Sequence, residues 1–466
     1  MRYFRTLLIA VVVLVCSVRM TAADAYVPVI TMPDTIYGLV GRPVDIHYDQ
    51  LSAQVPAAAS IVYSCLADSG SFYDWGYSFT AHAPTVITCT IVAKDSTDVA
   101  VASATTHIRV VTDTAQGQPS LLTVGDSLVE AHPAALDSAY IVTAIKVDFE
   151  ESGGAQVKLL GTNGLAPGVH EGYSGKCWVN FTSPSTAYFT NPFWNVQDGK
   201  IDFQYYTNVS GQAGPIGYCI VQLGYNGIYA LLGAELTPSI MALWFQRIDG
   251  FCSALLSADR GYPNCRVVIS LPSSGNISQA AWVDNYGSLD NWEAFEKNMA
   301  IYRAALVSHY DKGIFHPNVS LCASGLFVDR INGYPANNYL HPNKSAYVQM
   351  AGAFYAHLRA LQAEQSLTGV VEASSGHPTL MSYPNPCNPR ATIRFNLPKA
   401  GHIRLGIFDV RGCLVTRLAD DLYVSGWHTV HWTSCDLAGR NLASGAYFAR
   451  LETGGTVATA RLSIVR

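Results

Sequence analysis

The stretch LLTVGDSLVE, residues 121–130, decides how the chain is built. Its first four residues form a short apolar run, the signature of a strand covered on both faces. The run breaks at Gly125-Asp126-Ser127 and turns toward a helix. A serine in that place stands at the carboxyl edge of a sheet, where open α/β folds bind ligands. The start of the following helix favours negative charge there. Asp and Ser are also ordinary helix caps, so the tripeptide alone leaves two readings open, nucleophile and cap.

Working outward, residues 218–223 and 267–271 are further compact apolar runs, consistent with parallel strands. In residues 345–361, Tyr347, Met350, Ala351, Phe354, Leu358 and Leu361 keep helical spacing on one face, with Ser345 placed to cap the helix. Strands alternating with helices predict an α/β unit over residues 118–365. The flanks read differently. In residues 26–113, Val44, Ile46 and Tyr48 alternate with Asp45 and His47, and Ile87, Cys89 and Ile91 alternate with threonines. Period two means half-buried strands, and the pattern resembles a small immunoglobulin-like β-sandwich. Residues 114–120, rich in Gln, Gly and Pro, read as a linker, and residues 366–379 as a second one. From residue 380 to 466 strands return, with Ile393, Phe395 and Leu397 and then Ile403, Leu405 and Ile407 on alternate positions, again a β-sandwich in outline.

The bulk numbers bound the function. The 466 residues are too many for one ordinary core. A net charge of -5 and the lack of any Lys/Arg-rich run exclude a phosphate-binding field, so nucleic acid is not an expected partner. Charged residues make up only 14%, while Tyr (26) and Gly (38) are plentiful, the texture of a secreted, β-rich protein. Arg2 and Arg5 precede an apolar run at residues 7–15 that ends near Ala23-Asp24-Ala25, which reads as a signal peptide over residues 1–25. That run is too short to cross a bilayer, and no later stretch is long enough, so no transmembrane span is expected in the mature chain. Cys16 follows the bulky Val15, which disfavours a lipoprotein signal. Removing Cys16 from the 11 cysteines leaves ten, an even number in an oxidising compartment, so disulfides are expected. The local pairings to try first are Cys65 with Cys89, Cys252 with Cys265, and Cys413 with Cys435. Zinc is the weaker reading, because no two cysteines have CxxC spacing and His428 and His431 lack further ligands nearby.

Four short motifs then appear in order: GDSL (125–128), HEGYSG (170–175), LGYNG (223–227) and NNYLHPN (337–343). On these the segment resembles the SGNH (GDSL-type) hydrolases, a family of esterases with a flavodoxin-like, three-layer fold. The resemblance implies Ser127 as nucleophile and His341 as general base. It implies an oxyanion hole of the Ser127 N–H, the Gly175 N–H and the Asn226 amide, with no metal or cofactor. A tetrahedral oxyanion needs such fixed donors, and losing one typically costs about 3–4 kcal/mol of transition-state stabilisation. Glycine at 175 is expected because a close backbone approach leaves no room for a Cβ. Asparagine suits the third donor because it brings no charge.

Two positions depart from the family pattern. Gly227 stands where Asp is usual, and Asn338 stands where the last block has Asp three residues before the histidine. An amide does not stabilise an imidazolium as a carboxylate does, and the corresponding change in a serine protease costs roughly 10⁴ in turnover. Either a Ser–His dyad operates, with Asn338 as the orienting residue, or the orienting group comes from elsewhere, for which Asp329 is the candidate. His316, also followed by Pro-Asn, is the rival base, set aside because it precedes an apolar run that reads as core. His170 and Glu171 are expected to shape the glycine loop, and Trp178, Phe193 and Trp194 to form core or cleft wall, with sugar stacking the minority reading.

The carboxyl-terminal motifs YPNPCNPRATIRFNLP (383–398), IFDVRG (407–412), GWHTVHW (426–432) and LASGAYFARL (442–451) resemble the FlgD-like or type IX secretion sorting domain. That implies a bacterial export route to the surface or medium, with the secretion machinery as partner. The expected function is a secreted serine esterase acting on an ester-bearing substrate, acetylated polysaccharide first. The alternatives are a lipase or lysophospholipase, and a surface carbohydrate-binding protein whose hydrolase fold has decayed.

Overall fold

The structure, a computed structural model, describes residues 28–53, 61–114, 117–130, 140–151, 156–164, 168–212, 215–371, 378–383, 387, 391–397, 399–423 and 426–464. The expected signal peptide and Cys16 lie outside these residues. Among the described residues, no helix is long and apolar enough to cross a membrane.

The first unit holds β1 (Thr35–Leu39), β2 (Pro43–His47), β3 (Val62–Ala67), β4 (Ser71–Tyr73), β5 (Gly76–Thr80), β6 (Thr85–Lys94) and β7 (Ala100–Val111). They form two sheets, ordered β1-β7-β6-β3 and β2-β5-β4, with β1 parallel to β7. Alternation on β6 puts Ile87, Cys89 and Ile91 inside, while Thr88 and Thr90 face out, as period two requires.

The middle unit runs β8 (Ser120–Gly125), α1 (Ile141–Glu151), β9 (Lys158–Leu160), β10 (Glu171–Gly172), α2 (Trp178–Thr182), β11 (Trp194–Asn195), β12 (Lys200–Ile201), α3 (Phe203–Val209), β13 (Tyr218–Gln222), α4 (Tyr225–Tyr229), α5 (Pro238–Leu255), β14 (Arg266–Ser270), α6 (Gln279–Tyr286), α7 (Trp292–Tyr310), β15 (Val319–Cys322) and α8 (Lys344–Val371). Its sheet is ordered β10-β8-β13-β14-β15, with β9 also on β8, and every pair is parallel. Chain order therefore reverses direction around β8, the switch point at which such sheets bind ligands. Both faces are covered. Leu122, Val124, Val221, Val267, Ile269 and Leu321 join one buried cluster with side chains of α5 and α7. Leu121, Ile220, Val268 and Cys322 join another with α1 and α8. Residues two apart share a face, so a continuous apolar run serves two cores at once.

Two helix details differ from the sequence reading. The cap of α8 is Asn343, whose Oδ1 accepts the N–H groups of Ser345 and Ala346 at 2.9 and 3.3 Å, so Ser345 lies inside the first turn. The helix also continues to Val371, into the stretch read as linker.

The third unit holds β16 (Thr379–Tyr383), β17 (Ala391–Leu397), β18 (Gly401–Phe408), β19 (Leu414–Tyr423), β20 (Gly426–Trp432), β21 (Gly445–Thr453) and β22 (Thr456–Ile464), in two sheets ordered β16-β17-β20 and β19-β18-β21-β22. Ile393, Phe395 and Leu397 from one sheet meet Ile403, Leu405, Ile407 and Leu451 from the other in a single cluster.

The ten cysteines among the described residues are free thiols in this structure. Cys65 and Cys89 sit on neighbouring strands with Sγ atoms 3.1 Å apart, beyond the bonding distance of about 2.05 Å. Cys252 and Cys265 are unbonded core side chains, and burial pushes both thiols up. Cys413 is exposed, while the Cys435 Sγ is directed at Thr433 O and Asn441 Oδ1.

Candidate active site

Three adjacent strand ends set the site. Gly125 ends β8 opposite Gln222 of β13 on one side and Gly172 of β10 on the other. The crossing is tight. A Cβ on Gly125 would meet Val129 Cγ2 at 2.3 Å and Gln222 O at 2.9 Å, and one on Gly172 would meet the Glu130 nitrogen at 2.7 Å. These two positions require glycine for space. The segments that follow the three strands carry Ser127 and Gly175 in loops and Asn226 in the first turn of α4.

All three line one cleft of about 620 Å³, together with Asn338 and His341, which arrive from the loop between β15 and α8. Glu130, Tyr140, Ser174 and Tyr347 complete most of the wall. Asp126, beside Ser127, is buried, accepts the Leu128 N–H at 3.1 Å and lies 3.4 Å from Asn226 Nδ2. Burial pushes its carboxyl up to about 7, against the pull of the Leu128 N–H. Asn226 Nδ2 also donates to Lys176 O at 3.0 Å, which ties the β13 loop to the glycine loop.

At Gly175, among the described residues other than its chain neighbours, no atom lies within 4 Å of where a Cβ would be, and its φ is +73°, a backbone conformation that favours glycine. Glu130 holds this loop from the other side by accepting the Ser174 N–H at 2.5 Å. Gly227 has a packing reason. A Cβ there would come within 3.3 Å of the Trp244 ring, so the indole occupies the space a side chain at 227 would need.

Asn338 braces the histidine through the backbone. Its Oδ1 accepts the N–H groups of Leu340 at 3.0 Å and His341 at 2.8 Å, closing a turn that presents the ring to the cleft wall. Asp329 lies apart from that wall. Its carboxylate accepts from Ile331 N, Asn332 N and Asn332 Nδ2, which folds its own loop. His316 also lies elsewhere, its Nδ1 accepting the Asn318 N–H at 3.1 Å, and burial holds it down at about 4. Glu171 is fully buried and accepts from Thr162 N, Tyr173 OH and Tyr206 OH, each at 2.7 Å. His170 Nδ1 accepts the Gly172 N–H at 3.0 Å, and burial lowers the ring to about 4. Both side chains brace the β10 loop. Trp178 and Phe193 are core, and Trp194 is half-buried.

The His341 loop is fixed by residues the sequence did not single out. Arg330 and Glu296 form a fully buried ion pair, and Arg330 also donates to Gly275 O at 2.7 Å and to Asp49 O at 3.0 Å. Tyr339 OH reaches Glu296 Oε1 at 2.5 Å, and Tyr334 OH lies 2.9 Å from Ser273 Oγ. Gln50, from the first unit, inserts between the loops after β14 and β15. It donates to Ser273 Oγ at 2.7 Å and Val328 O at 3.0 Å and accepts from Ser274 N at 3.0 Å.

Comparison with known proteins adds the following. Residues 381–465 match the family described as the secretion system C-terminal sorting domain. Latent PorU from Porphyromonas gingivalis is 20% identical over 19% of this chain and only 9% of its own, with a TM-score of 0.18. A carbohydrate esterase family 3 protein from Talaromyces cellulolyticus is 17% identical over 53% of this chain and 99% of its own, with a TM-score of 0.31. A carbohydrate acetylesterase family member from Sinorhizobium meliloti is 11% identical over 53% of this chain and 100% of its own, with a TM-score of 0.34. No curated protein matches the chain.

Proposed function

We propose that the chain is an exported serine esterase that removes O-acetyl groups from polysaccharide. One observation supports this reading above all: Ser127, Gly175, Asn226 and His341, from four separate segments of the chain, line the same cleft at the switch point of the sheet. In this reading Ser127 Oγ attacks the ester carbonyl while His341 takes its proton. The oxyanion is received by the N–H groups of Ser127 and Gly175 and by Asn226 Nδ2, which turns from Asp126 toward it. Collapse expels the sugar hydroxyl, protonated by His341, and leaves acetyl-Ser127. A water deprotonated by His341 then releases acetate. His341 acts as one half of a dyad, its loop positioned by Asn338.

The matched tail supports export by a secretion system, preceded by passage under the signal peptide of residues 1–25. The two flanking units are proposed as β-sandwiches, and Cys65 and Cys89 as the pair that closes to a disulfide on reaching an oxidising compartment.

A fluorophosphonate probe tests the central reading. Labelling is expected on Ser127 of the native chain, with none in Ser127→Ala and a severe loss of rate in His341→Ala. A folded native chain that stays unlabelled ends the esterase reading. Acetate release from acetylated xylan, set against hydrolysis of long-chain esters, then separates polysaccharide from lipid substrates.

A further inference from the structure

Glu130 and Ser174 line the cleft and also a second depression of about 720 Å³ that continues from it. Its walls come from the segment between α2 and α3, from α3 itself and from the glycine loop before α2. Tyr188 stands on the rim with 93% of its surface exposed, and Trp194 and Tyr205 present half-buried rings. Hydroxyl side chains, Ser185, Thr190 and Ser210 among them, share the lining with the exposed side chains of Val196 and Val209.

The segment is held as firmly as a core element. Asn191 donates to Ser183 O at 2.9 Å, and its Oδ1 accepts the Phe193 N–H at 3.0 Å. Asn195 Oδ1 accepts the Gln197 N–H at 3.0 Å at the β11–β12 turn. Phe193 is fully buried, with Phe203, Tyr206 and Phe251 at ring-centroid distances of 4.8, 5.0 and 5.7 Å. A buried framework thus keeps aromatic faces in solvent.

A continuous apolar trough would suit an acyl chain. Exposed ring faces with hydroxyls in the same lining suit a sugar, whose C–H face lies on an aromatic ring while its hydroxyls find polar partners. Each depression alone falls in the volume range of a small-molecule site, roughly 300–1,000 Å³, so a ligand occupying both is longer than a single acetylated sugar. At the junction Glu130 and Lys176 carry opposite charges, which gives no preference for a strongly ionic chain.

We propose that this groove binds the sugar backbone of a polysaccharide beside the esterified residue, with Tyr188 and Trp194 as stacking residues. The proposal rests on the ester-hydrolase reading for its place beside Ser127, but its binding test does not.

The test uses the full chain with acetylated xylan, acetylated mannan and acetylated pectin as polymers and p-nitrophenyl acetate as a small ester. Trp194→Ala and Tyr188→Ala are expected each to raise KM on the preferred polymer about tenfold, the loss of one anchoring contact of about 1.4 kcal/mol. Their kcat on that polymer and their turnover of p-nitrophenyl acetate stay unchanged, and Trp194→Phe recovers most of the KM. In parallel, Ser127→Ala is titrated with the deacetylated polymers, where adding Trp194→Ala should weaken Kd about tenfold. A polymer KM and Kd insensitive to both ring deletions overturns the groove and leaves the esterase reading standing. Binding that weakens as expected in a chain that cleaves no ester sinks the esterase reading and leaves the groove. Binding to none of the three polymers, or a loss confined to micellar lysophospholipid, overturns the groove.

Discussion

The two flanking units share a strand texture and differ in how they are joined to the middle unit. The first is fused to it. Its buried side chains Met32, Leu51 and Tyr77 belong to one continuous cluster with Phe149, Phe354 and Leu358 of the middle unit. Polar clamps close the rim: Arg42 to Asp148 at 2.5 Å, Arg109 to Glu364 at 2.8 Å and Lys312 to Asp34 at 2.8 Å. Even the start of the connecting segment is pinned, with Asp113 accepting from Tyr355 OH at 2.6 Å and pairing with Arg359. The third unit keeps its own core. Among the described residues its cluster draws on no side chain outside the unit, and Arg394 reaches Phe315 O at 2.7 Å as a bond across the boundary. A shared core makes the first unit one body with the middle unit, whereas the third, which matches the sorting-domain family, keeps a core of its own.

The largest effect should come from removing whole units. Deleting residues 378–466 is expected to leave the melting temperature and ester turnover of the remainder nearly unchanged. Deleting residues 28–113 uncovers one side of a shared core and should yield insoluble or molten protein. Circular dichroism and thermal melting of the two truncations check this, and a stable, cooperative melt of the second truncation would break the contrast.

Next in size is the buried pair that meets the first unit. Arg330→Ala leaves Glu296 charged and fully enclosed, and breaking such a pair costs about 3–5 kcal/mol. Urea unfolding should read that loss, with ester turnover falling as the His341 loop loosens. Gln50→Ala is milder. It removes the partner that Gln50 gives Ser274 N and Val328 O, at about 1–3 kcal/mol for a buried group left unpaired, while Ser273 Oγ keeps Tyr334 OH. Because Gln50 touches the loops and not the cleft, kcat should fall while KM for a small ester stays within error. A kcat that returns to the native value once rates are normalised to the folded fraction would reduce Gln50 to a packing residue.

How much of this could be seen in the sequence follows from what periodicity measures. The runs at 121–124, 218–223 and 267–271 were legible because a parallel strand covered on both faces has no polar alternate to interrupt it. Ser127, Gly175, Asn226 and His341 were found by motif, and the structure gathers them in one cleft. The attachment of the first unit was hidden. Tyr37 and Arg109 are paired neighbours on β1 and β7, and the face they share lies on α8, where Tyr37 meets His357 with ring centroids 4.8 Å apart and Arg109 meets Glu364. Alternation tells that two faces differ, not that the polar one is bare. Asn338 was ambiguous for a similar reason, because a residue three before a histidine is equally placed to touch its ring or to accept its backbone N–H, and here it does the latter. Gln50 left no signal, since its partners are 223 and 278 residues away along the chain.

The smallest expected effect sharpens the comparison by pH. His357 lies on α8 beneath the first unit, its Nε2 2.9 Å from Ser320 Oγ and its ring edge against Tyr37, and burial depresses it to about 3. In the unfolded chain the same imidazole titrates near its ordinary value of about 6.5. The unfolded state therefore binds the proton first as pH falls. Stability from this group is intact above about 6.5 and is lost progressively between about 6.5 and 3, at about 1.4 kcal/mol per pH unit. Lowering pH from 6.5 to 5.5 should thus cost about 1 kcal/mol in the native chain, and less in His357→Gln, which keeps a polar partner for Ser320 and has no proton to gain. Urea midpoints at the two pH values, for the native chain and His357→Gln, measure the difference. Equal acid sensitivity in both chains would mean that the ring is solvated in solution, and that α8 and the first unit are joined less tightly than their shared core implies.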